Sequence, residues 1–105
     1  MKISMIYITA GNKNEARMIG KALIHSKLAA CVNIIDNMNS LYMWDDHLQD
    51  DQEAILIAKT VQDRVSELIE KVKSIHSYDC PCIVSLTVSD GNPAFLDWIA
   101  DEVRD

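Results

Sequence analysis

Leu28-Ala29-Ala30-Cys31-Val32-Asn33-Ile34-Ile35, then Asp36-Asn37-Met38-Asn39, then Ser40-Leu41-Tyr42-Met43-Trp44, is the stretch that decides the fold. Leu28 to Ile35 is an apolar run broken only by Asn33, rich in the β-branched residues that suit a pleated strand. After an Asn-rich bend the same character resumes at Leu41-Tyr42-Met43-Trp44. The bend therefore reads as a bulge in one long strand and not as its end. The polar stretch from Asp45 to Gln52 predicts a turn, and Glu53 to Thr60, carrying Ala54-Ile55-Leu56-Ile57-Ala58, predicts the returning strand of a long hairpin.

Working outward, Lys2 to Thr9 has the apolar density of a buried strand, ended by Gly11-Asn12. A helix to about Lys27 follows, with Asn12 or Asn14 as cap, Glu15 against the positive end of the dipole, and Ala16, Ile19, Gly20 and Leu23 as its stripe. Beyond the hairpin, Thr60 and Asp63 resemble a capping box, and Val65, Leu68, Ile69 and Val72 repeat at helical spacing. Pro81 sits where a strand begins, Ile83 to Val88 forms that strand, and Asn92-Pro93 opens a last helix striped by Leu96, Ile99 and Val103. Strand, helix, strand, strand, helix, strand, helix is an α+β, ferredoxin-like order, βαββαβ plus a C-terminal helix, in a single domain over 1–105. Right-handed crossovers place the two main helices on one face of an antiparallel sheet. The opposite face and the long hairpin then need cover, which other subunits would supply.

Sixteen acidic against ten basic residues give a net charge of -6, which argues against nucleic acid and anionic membranes as partners and suits a cation better. No apolar stretch approaches the span of a bilayer, and the first residues lack the pattern of a signal peptide. Three cysteines is an odd number, and Cys80 and Cys82 are too close to bridge without strain, so reduced thiols in the cytoplasm are expected.

The connector His76-Ser77-Tyr78-Asp79-Cys80-Pro81-Cys82 concentrates the chemistry. Imidazole and thiolate ligands select soft or borderline metals such as copper and zinc, so His76, Cys82, Cys80 and Asp79 form a candidate metal site. Set against this, both cysteines can serve as small fillers and His76 as a helix-end residue. The acidic run Asp45-Asp46-His47, Asp50, Asp51 and Glu53 lacks the spacing of a calcium loop and reads as a solvated turn. His25 reads as surface and Cys31 as core. Cys82 as nucleophile with His76 as base has no orienting group or oxyanion donor pattern, so no enzyme is expected.

Taken jointly, Lys27 to Ile34, Ser40 to Trp44, Lys59-Thr60, His76 to Pro81, Gly91-Asn92-Pro93 and Leu96-Asp97-Trp98-Ile99 resemble the CutA divalent-cation tolerance proteins over nearly the whole chain. The resemblance implies a homotrimer whose long hairpins pair between protomers, and a role in tolerance of divalent metal ions, copper especially. A metal site proposed in that family carries over as His76, with Cys82 in place of a carboxylate and Ile8 in place of a Cys. Ser77 stands where the family has Pro, and Asp79 where it has Glu. The thiol at 82 would soften the site towards copper(I) or zinc. The resemblance also implies a cleft between subunits formed by Tyr42, Trp44, Lys59, Tyr78 and Trp98. The alternative function is a sensor or scaffold like the PII-type signalling trimers, binding a small ligand there with Lys59 orienting an anion.

Overall fold

The strand that opens the chain lies inside the sheet, with a partner on each side. A computed structural model describes residues 2–104 as β1 (Ile3–Ala10), α1 (Lys13–His25), β2 (Cys31–Trp44), β3 (His47–Val61), a 3-10 turn (Gln62–Arg64), α2 (Val65–Ile75), β4 (Ile83–Val88) and α3 (Pro93–Glu102). The sheet order is β2-β3-β1-β4, with every neighbouring pair antiparallel. This is the ferredoxin-like arrangement expected from the element order.

Alternation along the strands sorts the core. Ile6, Ile8 and Ala10 of β1 and Ala54, Leu56 and Ala58 of β3 face α1 and α2, which return Ala16, Ile19, Leu23, Val65, Leu68 and Val72. Each large aliphatic side chain buried there contributes about 1.5–3 kcal/mol. Gly20 lets α1 close on β2, since a Cβ there would stand 3.0 Å from Val32 Cγ2. Asn12 caps α1, its Oδ1 accepting the Glu15 N–H at 2.8 Å. Asn92 caps α3 in the same way through Ala94 N–H, with Pro93 in the first turn.

The second face of the sheet is only partly covered. α3 crosses one end of it, where Ile99 and Val103 pack with Ile3 and Val61. The remainder stays open, leaving Ile35, Val84 and Leu86 exposed.

Three expectations change. The turn is not eight residues long: Trp44 pairs with His47, and only Asp45 and Asp46 turn, both at positive φ (52° and 63°) as a type I′ turn requires. Thr60 does not open a capping box; it pairs with Ser4 within the sheet, and a 3-10 turn intervenes before α2, which has no side-chain cap. Cys31, expected in the core, lies half-buried on the open face, where Lys59 Nζ stands 3.7 Å from its thiol. The expected bulge is present, as a register shift between Ile35 and Met38 with Asn37 at φ 59°. Beyond it β2 and β3 project as an arm. The radius of gyration is therefore 14.3 Å, against about 13 Å for a compact chain of this length.

Candidate functional site

The arm and the α2–β4 connector face each other across a cleft. In the arm, Tyr42 pairs with Gln49, Ser40 with Asp51 and Met38 with Glu53, so Gln49, Asp51 and Glu53 share one side of the ribbon with Tyr42 and Trp44. Opposite them, Thr9 N–H donates to the Cys82 carbonyl at 3.3 Å. This adds one rung to the β1–β4 ladder, which is otherwise complete at Ile8 with Ile83. Cys82 consequently falls on the open face beside Thr9. The resulting space is about 530 Å³, walled by Tyr42, Trp44, Gln49, Asp51 and Glu53 on the arm and by Tyr78, Asp79, Cys80 and Cys82 on the connector, with Thr9 between.

Two phenol–carboxylate pairs set the arm wall. Tyr78 Oη donates to Glu53 Oε2 at 2.8 Å, and Tyr42 Oη donates to Asp51 Oδ2 at 2.6 Å. Burial first, and then the Glu53 carboxylate, hold the Tyr78 phenol far above its ordinary range. The Asp51 hydrogen bond does the same, more mildly, for Tyr42. Glu53 is only 8% exposed. Among the described residues of one chain, no Lys, Arg or His lines the cleft. Among the described residues, Asp51, Glu53 and Asp79 make no ion pair with a cationic side chain.

His76 stands behind the connector, not in the cleft. Its imidazole is fully buried, Nε2 lies 2.7 Å from the Thr9 carbonyl, and Nδ1 accepts the Tyr78 N–H at 3.1 Å. A carbonyl on one side and an N–H on the other assign the proton to Nε2. Glu15 completes the cluster, 3.8 Å from Nδ1 and accepting the N–H groups of Gly11 and Ser77 at 2.8 and 2.7 Å. Burial alone would raise the Glu15 carboxyl, but hydrogen bonds from the Ser77 side chain and from the Gly11 and Ser77 backbone hold it below its ordinary value.

Of the four residues expected to ligate a metal, Asp79, Cys80 and Cys82 therefore line the cleft, whereas both nitrogens of His76 are engaged elsewhere. Among the described residues, no three His, Cys, Asp or Glu side chains converge as a metal shell. The described residues of one copy therefore do not fit a complete ligand set for an ion. Of the five residues expected to form a ligand cleft, Tyr42, Trp44 and Tyr78 line this one. Lys59 does not: it lies six residues along β3 from Glu53, about 20 Å at strand rise, hydrogen-bonded to Asn33 Oδ1 on the open face. Trp98 stacks on Phe95 of α3 at 5.7 Å. Reading Asp45 to Gln52 as a turn leaves Asp51 in a solvated loop, where alternation of Gln49, Asp51 and Glu53 along β3 is the signal that places it on the cleft side.

Fold and site together define a ferredoxin-like protein with a projecting hairpin arm and an acidic, aromatic cleft at its base. The family model "CutA1 divalent ion tolerance protein" matches residues 4–102. The chain belongs to that family. It is 40% identical over 97 residues to the "Divalent-cation tolerance protein CutA" of Thermus thermophilus, covering 92% of this chain and 94% of that one. It is 41% identical over 101 residues to a "Protein CutA homolog" of Xenopus laevis, covering 96% of this chain and 67% of the relative. A crystal structure of CutA1 from Oryza sativa superposes with a TM-score of 0.97 at 35% identity, covering 100% and 96% of the two chains.

Proposed function

We propose that this protein acts as a non-enzymatic homotrimer in divalent-cation tolerance, copper above all, and meets its ions through the connector wall of the cleft. The observation that carries this reading is the presentation of Asp79, Cys80 and Cys82 into one cation-free space. Thiols beside carboxylates favour soft and borderline ions such as copper(I) and zinc over magnesium or calcium. A second subunit against the open face would supply what one chain lacks for a full shell. Free thiols at Cys31, Cys80 and Cys82 support a reducing compartment, the cytoplasm.

The test is equilibrium dialysis of zinc, and separately of copper(I), against protein under reducing conditions, followed by elemental analysis. The wild type is expected to take up metal saturably. Cys80→Ser with Cys82→Ser should weaken uptake at least tenfold, and His76→Ala should not do so while the protein stays folded. Wild-type uptake no greater than that of the double variant would end the proposal.

A further inference from the structure

We infer that the outer face of α1 docks an acidic helical segment of another protein, through a basic row at Lys13, Arg17 and Lys21 with Met18 and Ile24 beside it. The row is independent of the tolerance reading. Ala16, Ile19, Gly20 and Leu23 are the buried side of α1 and turn toward the sheet, so the row points away from it, opposite the open face and the cleft. A second subunit against the open face therefore leaves the row uncovered.

Sequence spacing builds the row. Lys13, Arg17 and Lys21 stand at i, i+4 and i+8, and residues so spaced lie one above another on a helix. His25 continues the line, which runs about 18 Å at helical rise. All four side chains are exposed. Glu15, the single acid of α1, is turned aside, where its carboxylate accepts the N–H groups of Gly11 and Ser77. Among the described residues, Lys13, Arg17 and Lys21 form no ion pair. The outer side of α2 differs: it mixes Glu67 and Glu70 with Lys71 and Lys73, and Lys73 pairs with Glu70 at 3.3 Å.

The fold gains nothing from such a row. Like charges at i,i+4 repel, and Lys13 opens the helix, where it opposes the positive end of the dipole. These choices share one face, in a chain with sixteen acidic residues against ten basic, and a counter-charge from outside would relieve them. Apolar neighbours then narrow the partner. Met18 precedes Lys21 by three positions and Ile24 follows it by three, both exposed, so apolar contact flanks the last lysine, Met18 being the adaptable part. A phosphate backbone or a headgroup layer offers charge without apolar side chains to match, and either extends over the surrounding acidic surface. A short segment meets the row alone, since charges beyond about 8 Å are largely screened at physiological salt. Carboxylates at i,i+4 on a helix repeat the spacing of the row, and apolar residues beside them reach Met18 and Ile24.

The experiment uses the whole chain in its native assembly. The probe is a peptide of about 18 residues, about five helical turns, with Glu at every fourth position, Leu three places after each Glu, Ala elsewhere and an uncharged fluorophore at one end. Binding is read by fluorescence anisotropy at low salt, beside the same peptide with every Glu replaced by Gln. The wild type should bind the Glu peptide saturably and about tenfold or more tighter than the Gln peptide, and added salt should weaken it. Arg17→Glu with Lys21→Glu should abolish the preference, whereas Lys71→Glu on α2 should leave it unchanged. Arg17→Glu alone sets opposite charges at i,i+4 on both sides, so this variant should lose affinity while its thermal midpoint does not fall, which separates docking from folding. No preference for the Glu peptide, or a preference that survives the double reversal, overturns the inference. Mixed phosphatidylglycerol and phosphatidylcholine vesicles and a duplex DNA oligonucleotide are titrated in parallel. Tighter binding of either, lost in the double variant, also overturns it, by assigning the row to a different polyanion.

Discussion

At the scale of single residues, His76 is a fastener before it is anything else. Its ring joins the end of β1 through the Thr9 carbonyl to the connector through Tyr78 N–H, and it sits against Glu15 at the start of α1. Removing it leaves the part-buried Thr9 carbonyl without its ring partner, releases the Tyr78 N–H and opens a cavity where the buried imidazole stood, a lost partner costing about 1–3 kcal/mol where the group is buried. His76→Ala is therefore expected to lower unfolding free energy by about 3 kcal/mol, measured by urea denaturation; a loss under 1 kcal/mol would contradict the fastener role. Glu15 gives this cluster its pH dependence. Its folded carboxyl titrates below the ordinary value of 4.5, so its stabilisation is complete above that pH and disappears as pH falls through the lower, folded value. Stability should drop on acidification below pH 4.5. Glu15→Gln should flatten that drop and cost about 1 kcal/mol at neutral pH, where it weakens the charged acceptor of Gly11 and Ser77.

At the scale of elements, the turn of the hairpin carries avoidable strain. Asp45 and Asp46 both hold φ above zero, which aspartate tolerates less well than glycine. Asp46→Gly is expected to stabilise the chain by about 0.5–1 kcal/mol, since Asp-Gly is a favoured type I′ pair. A lower thermal midpoint for the variant would show that Asp46 makes a compensating interaction. The same arm explains what could be read from sequence and what could not. Strands and helices that bury a face leave a hydrophobic period, so β1, α1 and α2 are visible as Ile6-Ile8, Ile19-Leu23 and Leu68-Val72, whereas β4 shows as the apolar run Ile83–Val88 although one chain leaves most of it exposed. His47 to Gln52 buries no such face in one chain; it is held by ladder hydrogen bonds to β2, which leave no hydrophobic pattern. Reading it as turn conceals the strand position of Asp51, the carboxylate of one of the two phenol–carboxylate pairs. Thr60 misled for a related reason, because its hydroxyl is buried in the sheet where a cap was expected. The fold brings Tyr42, Trp44 and Tyr78 to the same cleft as Asp79, Cys80 and Cys82, and nothing in the spacing could show that both nitrogens of His76 are spent on the backbone.

At the scale of the whole molecule, one copy leaves unfinished surfaces that a second would complete. β2 and β4 are the two edges of the sheet, and on the open face Leu86 lies beside Met5 in the register, with Val84 beside Tyr7. Both Leu86 and Val84 are about half exposed, as is Ile35 across the sheet. An apolar edge strand of this kind is a template for pairing unless it is covered. A trimer that covers it would place Leu86 in the interface, where a lysine would be a buried charge without a partner, costing several kcal/mol per site and tripled by symmetry. In an isolated monomer the same substitution is a surface change worth within about 0.5 kcal/mol. Leu86→Lys therefore separates assembly from folding. Light scattering should give the wild type a mass about three times the 11.8 kDa chain, and the variant a smaller mass with its far-ultraviolet dichroism unchanged. The wild type's thermal midpoint should rise with protein concentration and the variant's should not, because only association couples stability to mass action. A wild type that runs as a monomer, or a folded variant that still runs as a trimer, would show that the open face is covered in some other way.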